Sequence, residues 1–184
     1  MLHRPLLEPI LQDLRIRKVL PHIVPRGVLV DVGCDEPQEL IRRVYRIMKR
    51  CIGLDIVAKP YKKKNITILK QDLQKTIKLP TNTADVMTML AVLEHMKHPN
   101  EIVAECFRIL KPGGMLLVTV PSPANKPLLE LLSAVGLVRK EMIHQHENYF
   151  TVQRLTRLMK RTGFSFVHVE LFELGMNTFC KAVK

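Results

Sequence analysis

Three acidic positions and one acid–histidine pair are the side chains best placed to do chemistry together. Asp31 follows the β-branched run Val28-Leu29-Val30 and precedes Val32-Gly33-Cys34-Asp35. Asp55 closes a second apolar run, Cys51-Ile52-Gly53-Leu54, 24 positions later. That spacing lies near the ~20 residues that separate the glycine turn from the ribose-binding acid of a nucleotide-binding βαβ unit. A carboxylate ending the second strand can accept both hydroxyls of a ribose. Asp72 stands in Gln71-Asp72-Leu73 after the run Ile66-Thr67-Ile68-Leu69, and Glu94-His95 follows the run from Val86 to Val92. Ligands of open α/β sheets bind outside the carboxyl ends of the strands, so Asp72 is placed either to meet a base edge or to cap its own turn. His95, beside a carboxylate at a strand end, reads as a base, an acceptor-pocket residue or a structural histidine.

The elements that must hold these groups follow from periodicity. Val28 to Gly33 is too short for a helix and ends at a glycine, which predicts a buried strand leaving through a tight turn. Leu40, Ile41, Val44, Tyr45 and Met48 recur at helical spacing opposite Arg42, Arg43, Arg46, Lys49 and Arg50, predicting an amphipathic helix to Met48. Strands are expected at Cys51–Ile56, Ile66–Leu69, Val86–Val92 and Met115–Val120, with Ala58 to Asn65 as loop. A helix over residues 5–20 is stopped by Pro21 and Pro25. Further helices are expected at Asn100–Leu110, capped by Asn100 and broken by Lys111-Pro112-Gly113-Gly114, at Leu128–Val138, and at Thr151–Thr162, capped by Gly163. Two closing strands, Phe164–Leu171 and Met176–Ala182, complete the pattern.

Taken in order, Asp31-x-Gly33, Asp55, Gln71-Asp72-Leu73, Leu93-Glu94-His95 and Leu110-Lys111-Pro112-Gly113-Gly114 resemble the motifs of class I S-adenosylmethionine (SAM)-dependent methyltransferases, most closely the type 11 group. The resemblance runs over about residues 26–121 and more loosely beyond. It implies an α/β Rossmann-like fold: a mostly parallel seven-stranded sheet closed by a C-terminal antiparallel hairpin, with helices on both faces. It implies one domain over 1–184, with a helical cover segment at 1–24, a SAM-binding core at 25–121, and an acceptor-side and closing region at 122–184. The cofactor-binding set it implies is Asp31, Gly33, Cys34, Asp35, Asp55, Ile56, Asp72, Leu73, Ala91 and Glu94. In that set Asp72 accepts from the adenine amino group and the Leu73 amide meets a ring nitrogen. His95, His146 and Tyr149 are the candidate bases.

The first turn departs from the family pattern of three alternating glycines, because Asp35 and Pro37 stand where the second and third would be. Glycine there tolerates positive φ; aspartate reaches it with a charged side chain, and proline fixes φ and lacks an N–H. Either the turn is reshaped and still binds SAM, or the fold does another job. The chain also resembles the Glu-x-x-Glu-His metal site of small-RNA 2′-O-methyltransferases, through Glu94, His95 and His144 or His146. Ala91 replaces the first glutamate, so no metal is expected.

The chain of 184 residues carries a formal net charge of +12, with Arg42, Arg43, Arg46, Lys49, Arg50, Lys62, Lys63 and Lys64 concentrated in one region. Such a face suits RNA, an anionic surface or an acidic substrate, or is simply solvated. No apolar run approaches the ~20 residues of a membrane span and no secretory leader is legible, so a cytoplasmic protein is expected. Cys34, Cys51, Cys106 and Cys180 lie far apart in apolar elements and read as buried free thiols. No nucleophilic triad or Walker loop is present. The expected activity is SAM-dependent methyl transfer to a small-molecule or lipid-like acceptor. The alternatives are an RNA methyltransferase using the basic face, and a catalytically silent subunit that binds or activates a partner protein.

Overall fold

A computed structural model describes residues 8–74, 76–123, 148 and 150–184. Its centre is an eight-stranded sheet of order β3-β4-β2-β1-β5-β6-β8-β7. The strands are β1 (Val28–Val32), β2 (Arg50–Asp55), β3 (Tyr61–Lys63), β4 (Ile66–Lys70), β5 (Ala84–Leu90), β6 (Leu110–Pro121), β7 (Phe166–Phe172) and β8 (Asn177–Val183). β4, β2, β1, β5 and β6 run parallel, while β8 inserts antiparallel between β6 and β7. Sequence order therefore reverses between β1 and β5, which is where an open α/β sheet leaves a crevice.

Side-chain alternation along β1 supplies both halves of the core. Val30 and Val32 join Met87, Met89, Val103, Cys106 and Leu155 beneath α3 (Pro99–Ile109) and α4 (Val152–Thr162). Leu29 points the other way, into a cluster with Ile16, Val19, Ile41, Val44 and Phe179 under α1 (Glu8–Val19) and α2 (Glu39–Val44). Both faces of the central strands are thus buried, as their near-continuous apolar sequence requires.

Several boundaries move for local reasons. α2 stops at Val44 rather than Met48, because Asn65 Nδ2 takes the carbonyls of Tyr45 (2.7 Å) and Met48 (2.8 Å) and turns the chain toward β2. The lysine-rich segment read as loop contains β3, an eighth strand formed by antiparallel pairing of Tyr61 with Ile68 and Lys63 with Ile66. Its charges are those of a guarded sheet edge. β5 ends at Leu90, since Ala91 turns to φ 55° and Leu93–His95 form a 3-10 turn. α3 begins at Pro99, a position a proline suits, and Asn100 does not cap it. Lys111 to Gly114 are drawn into β6 by Gly113 N–H donating to Lys184 O and Lys184 N–H to Gly114 O. β7 starts at Phe166 and β8 at Asn177, two and one residues later than periodicity suggests. Thr151 Oγ1 accepts the Arg154 amide and Gly163, at φ 109°, closes α4. The expected helix at Leu128–Val138 lies outside the described residues.

All four cysteines are free and buried. Burial raises every thiol pKa, Cys51 to about 11 and Cys106 and Cys180 to about 12.

Candidate functional site

A cavity of about 370 Å³ opens at the carboxyl ends of β1, β2 and β5, at the reversal of strand order. Leu11, Arg15 and Ile16 of α1 form one wall of it. α1 is tied to α2 by Arg43, whose guanidinium meets Asp13 at 2.6 Å and Glu39 at 3.1 Å.

The loop after β1 is built by hydrogen bonds to β2. The amides of Gly33 and Cys34 both donate to Leu54 O, at 2.8 and 3.1 Å. Gly33 has φ 75°, and a Cβ there would lie 2.3 Å from Val92 Cγ2, so neither conformation nor space admits a side chain. Asp35 adopts φ 47°, the left-handed conformation the missing glycine would have supplied, and its amide donates to Asp55 Oδ2 at 3.1 Å. Its own Oδ1 accepts the Glu36 amide at 2.7 Å. Gln38, also left-handed at φ 56°, donates through Nε2 to Asp35 O. Asp55 Oδ1 accepts from Val57 N–H at 2.9 Å. Each oxygen of this 8 % exposed carboxylate accepts one backbone amide and keeps lone-pair capacity toward the cavity.

Asp31 is 4 % exposed and accepts a 2.6 Å hydrogen bond from the Thr88 hydroxyl. Burial pushes its pKa up to about 7 and the charge of Asp55 acts the same way, while the Thr88 bond opposes them. Among the described residues no cation contributes to that balance. A buried acid of this kind gains from a cationic ligand group, and Asp55 offers acceptors to a diol. The volume lies in the ~300–1,000 Å³ range of small-molecule sites. These features fit an adenosyl amino acid.

The 3-10 turn brings Glu94 and His95 to the same cavity. Gln74 grips the turn's far side: Nε2 donates to His95 O at 3.0 Å and Oε1 accepts the Lys97 amide at 2.9 Å. Asn148 adds its amide to Glu94 O and Nδ2 to Met96 O, and is itself held by Arg154. Opposite, Asn177 of β8 borders the cavity while donating to Glu173.

Asp31, Gly33, Cys34, Asp35, Asp55, Ile56, Leu73, Ala91 and Glu94 therefore border one cavity with His95. Asp72 does not border it; its Oδ1 accepts the Gln74 amide at 3.0 Å, the turn-capping arrangement. His144, His146 and Tyr149 lie outside the described residues. Sequence reasoning missed Thr88, Arg15, Gln74 and Asn177; only Thr88, a polar residue inside the apolar run of β5, carried a visible signal. Arg42, Arg46, Lys49, Arg50, Lys62, Lys63 and Lys64 are exposed, while Arg43 is engaged by Asp13 and Glu39. Among the described residues no helix is long and apolar enough to cross a membrane, and no group of three or more His, Cys, Asp or Glu could hold a metal ion.

Comparison with known proteins gives a family match: the model of the methyltransferase domain matches residues 7–169. The mitochondrial 2-methoxy-6-polyprenyl-1,4-benzoquinol methylase of Caenorhabditis elegans is 27% identical over 119 residues, covering 56% of this chain and 42% of that one. The chain thus spans less than half of that relative's length. A SAM-dependent methyltransferase from Mesorhizobium loti superposes with a TM-score of 0.74 at 19% identity, over 95% of this chain and 98% of that one. A Haloferax volcanii methyltransferase, solved in complex with the Trm112 methyltransferase activator, superposes with a TM-score of 0.69 at 14% identity, over 98% of each chain.

Proposed function

The chain belongs to the methyltransferase-domain family, among the SAM-dependent class I methyltransferases, and on that premise we propose that it transfers a methyl group to a small, partly apolar or lipid-like acceptor. SAM supplies an electrophilic sulfonium methyl when bound. The protein's part is then chiefly proximity and orientation, with a base needed only where the acceptor must lose a proton. Asp55 would hold the ribose hydroxyls and Asp31 the ammonium. Ile56 and Leu73 would flank the adenine, and His95, on the turn gripped by Gln74, would face the acceptor and take its proton.

The observation that carries this reading is that Asp31, Asp55 and the Glu94-His95 turn border one cavity walled by Leu11 and Ile16. Leu11 and Ile16 give the α1 wall an apolar part beside Arg15, which suits an acceptor with an apolar portion, and the C. elegans relative is named for a polyprenyl benzoquinol. Calorimetric titration with SAM and S-adenosylhomocysteine tests it. Binding on the order of 1–100 μM that disappears in Asp55→Ala is expected; no binding of either nucleotide by the native chain overturns it.

A second reading is favoured by Asp35 and Pro37 in the turn, namely a catalytically silent subunit serving a partner. Native chain that ignores SAM beside an Asp35→Gly/Pro37→Gly variant that binds it would assign that role. The exposed cations of Arg42 to Lys64 keep RNA as an acceptor within the enzymatic reading, for which steeply salt-dependent RNA binding is the signature.

A further inference from the structure

β7 is an edge strand: among the described residues it pairs with β8 alone, leaving the backbone groups of its outer side without a strand partner. It is seven residues long and reads Phe166-Val167-His168-Val169-Glu170-Leu171-Phe172. Long edges of this composition invite pairing unless they are guarded, and β3, at the other end of the sheet, is guarded by shortness and lysines. β7 has neither device. Phe166 is 53 % and Leu171 54 % exposed, one on each face of the strand.

The sequence of β7 is self-complementary about its central residue. Antiparallel pairing of two copies centred on Val169 sets Phe166 opposite Phe172, Val167 opposite Leu171, and His168 opposite Glu170. Each exposed apolar side chain thereby meets an apolar partner, and the imidazole of each copy meets the carboxylate of the other. Moving the centre to His168 or Glu170 juxtaposes two like side chains and sets Phe166 or Phe172 against a polar group. Directly opposed residues in an antiparallel pair approach within ~4.5–5.5 Å, close enough for these differences to select the register. Within one copy Glu170 already meets Lys18 at 3.0 Å and His168 at 3.5 Å, so the edge presents alternating charge rather than a single sign.

We propose that β7 is a homodimer interface, at which a second copy of this chain extends the sheet across a two-fold axis passing by Val169. The contact is isologous, so every pair in it occurs twice. It lies two strands from β6 and leaves the mouth of the cavity, at the ends of β1, β2 and β5, uncovered.

Sedimentation velocity of the full chain across a concentration series tests this. A concentration-dependent dimer is expected. His168→Glu replaces two attractive pairs with two repulsive ones and is expected to raise the dimer dissociation constant on the order of tenfold. His168→Glu/Glu170→Lys restores an opposite-charge pair in this register alone and is expected to recover most of that loss. Phe166→Lys, at a half-exposed ring, is expected to give monomer whose thermal melt matches that of the native chain diluted below its dimer dissociation constant, separating loss of dimer from loss of fold. A monomer at every concentration overturns the proposal and leaves the edge for a strand of another protein. A dimer indifferent to His168→Glu, or not recovered by the double variant, overturns it as well.

Discussion

The amide of Asp35 donates to Asp55 Oδ2 at 3.1 Å, so the carboxylate that ends β2 also fastens the loop that leaves β1. Asp55 thus has a structural duty beside any ligand it holds. Asp55→Ala leaves the amides of Asp35 and Val57 without that acceptor and is expected to cost about 2–4 kcal/mol of stability, measured by urea unfolding. Asp55→Asn keeps an amide oxygen and is expected to lose less stability while still weakening SAM binding about tenfold or more. Equal loss of stability in both variants would show that the two amides do not depend on the carboxylate oxygens.

Asp31 gives a pH dependence whose sign is fixed by its raised pKa of about 7. Above that value the folded protein must bury a charge that the unfolded chain carries in water. The stability contributed by the protonated acid is complete below about pH 4 and is lost as pH rises through 7. Asp31→Asn removes this dependence, so its melting temperature relative to the native chain is expected to climb between about pH 4 and about pH 7 and to level off above. A cationic ligand group favours the ionised form. SAM binding below pH 7 is therefore expected to release close to one proton and to tighten as pH rises toward 7. Calorimetry in two buffers of different ionisation enthalpy measures that proton.

Gly33→Ala is expected to destabilise by about 2–4 kcal/mol, because a Cβ meets Val92 Cγ2 and φ 75° is strained for alanine. Adding Val92→Ala relieves the collision but not the backbone strain. A double-mutant cycle should give a compensating coupling of about 1–2 kcal/mol. No coupling would mean that strain alone excludes the side chain.

Gln74→Ala removes two hydrogen bonds to the turn that carries His95 and none to the cavity itself. The expected result is a fall in kcat of about tenfold or more with a smaller change in the KM for SAM. A change confined to KM would place Gln74 in cofactor binding instead.

The parallel core was legible because its central strands are short apolar runs, two of which end at a glycine or an acid, at Val32-Gly33 and Leu54-Asp55. Asp35 in a left-handed conformation was legible as a possibility, since aspartate tolerates positive φ better than most residues. β3 was not legible: Tyr61 to Lys63 have no periodicity of their own and become a strand only through pairing with Ile66–Ile68 of β4. The earlier end of β5 follows from Ala91, a residue type that gives no warning of φ 55°. Asp72 illustrates the limit at the site. Its motif and strand-end position point to a ligand, yet in the fold its Oδ1 accepts from Gln74, whose side chain then reaches the His95 turn. Arg15 and Asn177 reach the cavity from α1 and β8, and contacts set by topology leave no local pattern to read.

The four sequestered thiols make this molecule chemically quiet and internally instrumented. With their pKa values raised and their sulfurs buried, a folded chain in neutral solution presents almost no thiolate to an alkylating agent. Each sulfur becomes reactive when its own neighbourhood opens. Cys34 reports the cavity loop, Cys51 the β2 strand, Cys106 the α3 layer and Cys180 the hairpin partner of β7. The order in which the four take up label is a clock of the fold's opening, readable from the unmodified protein.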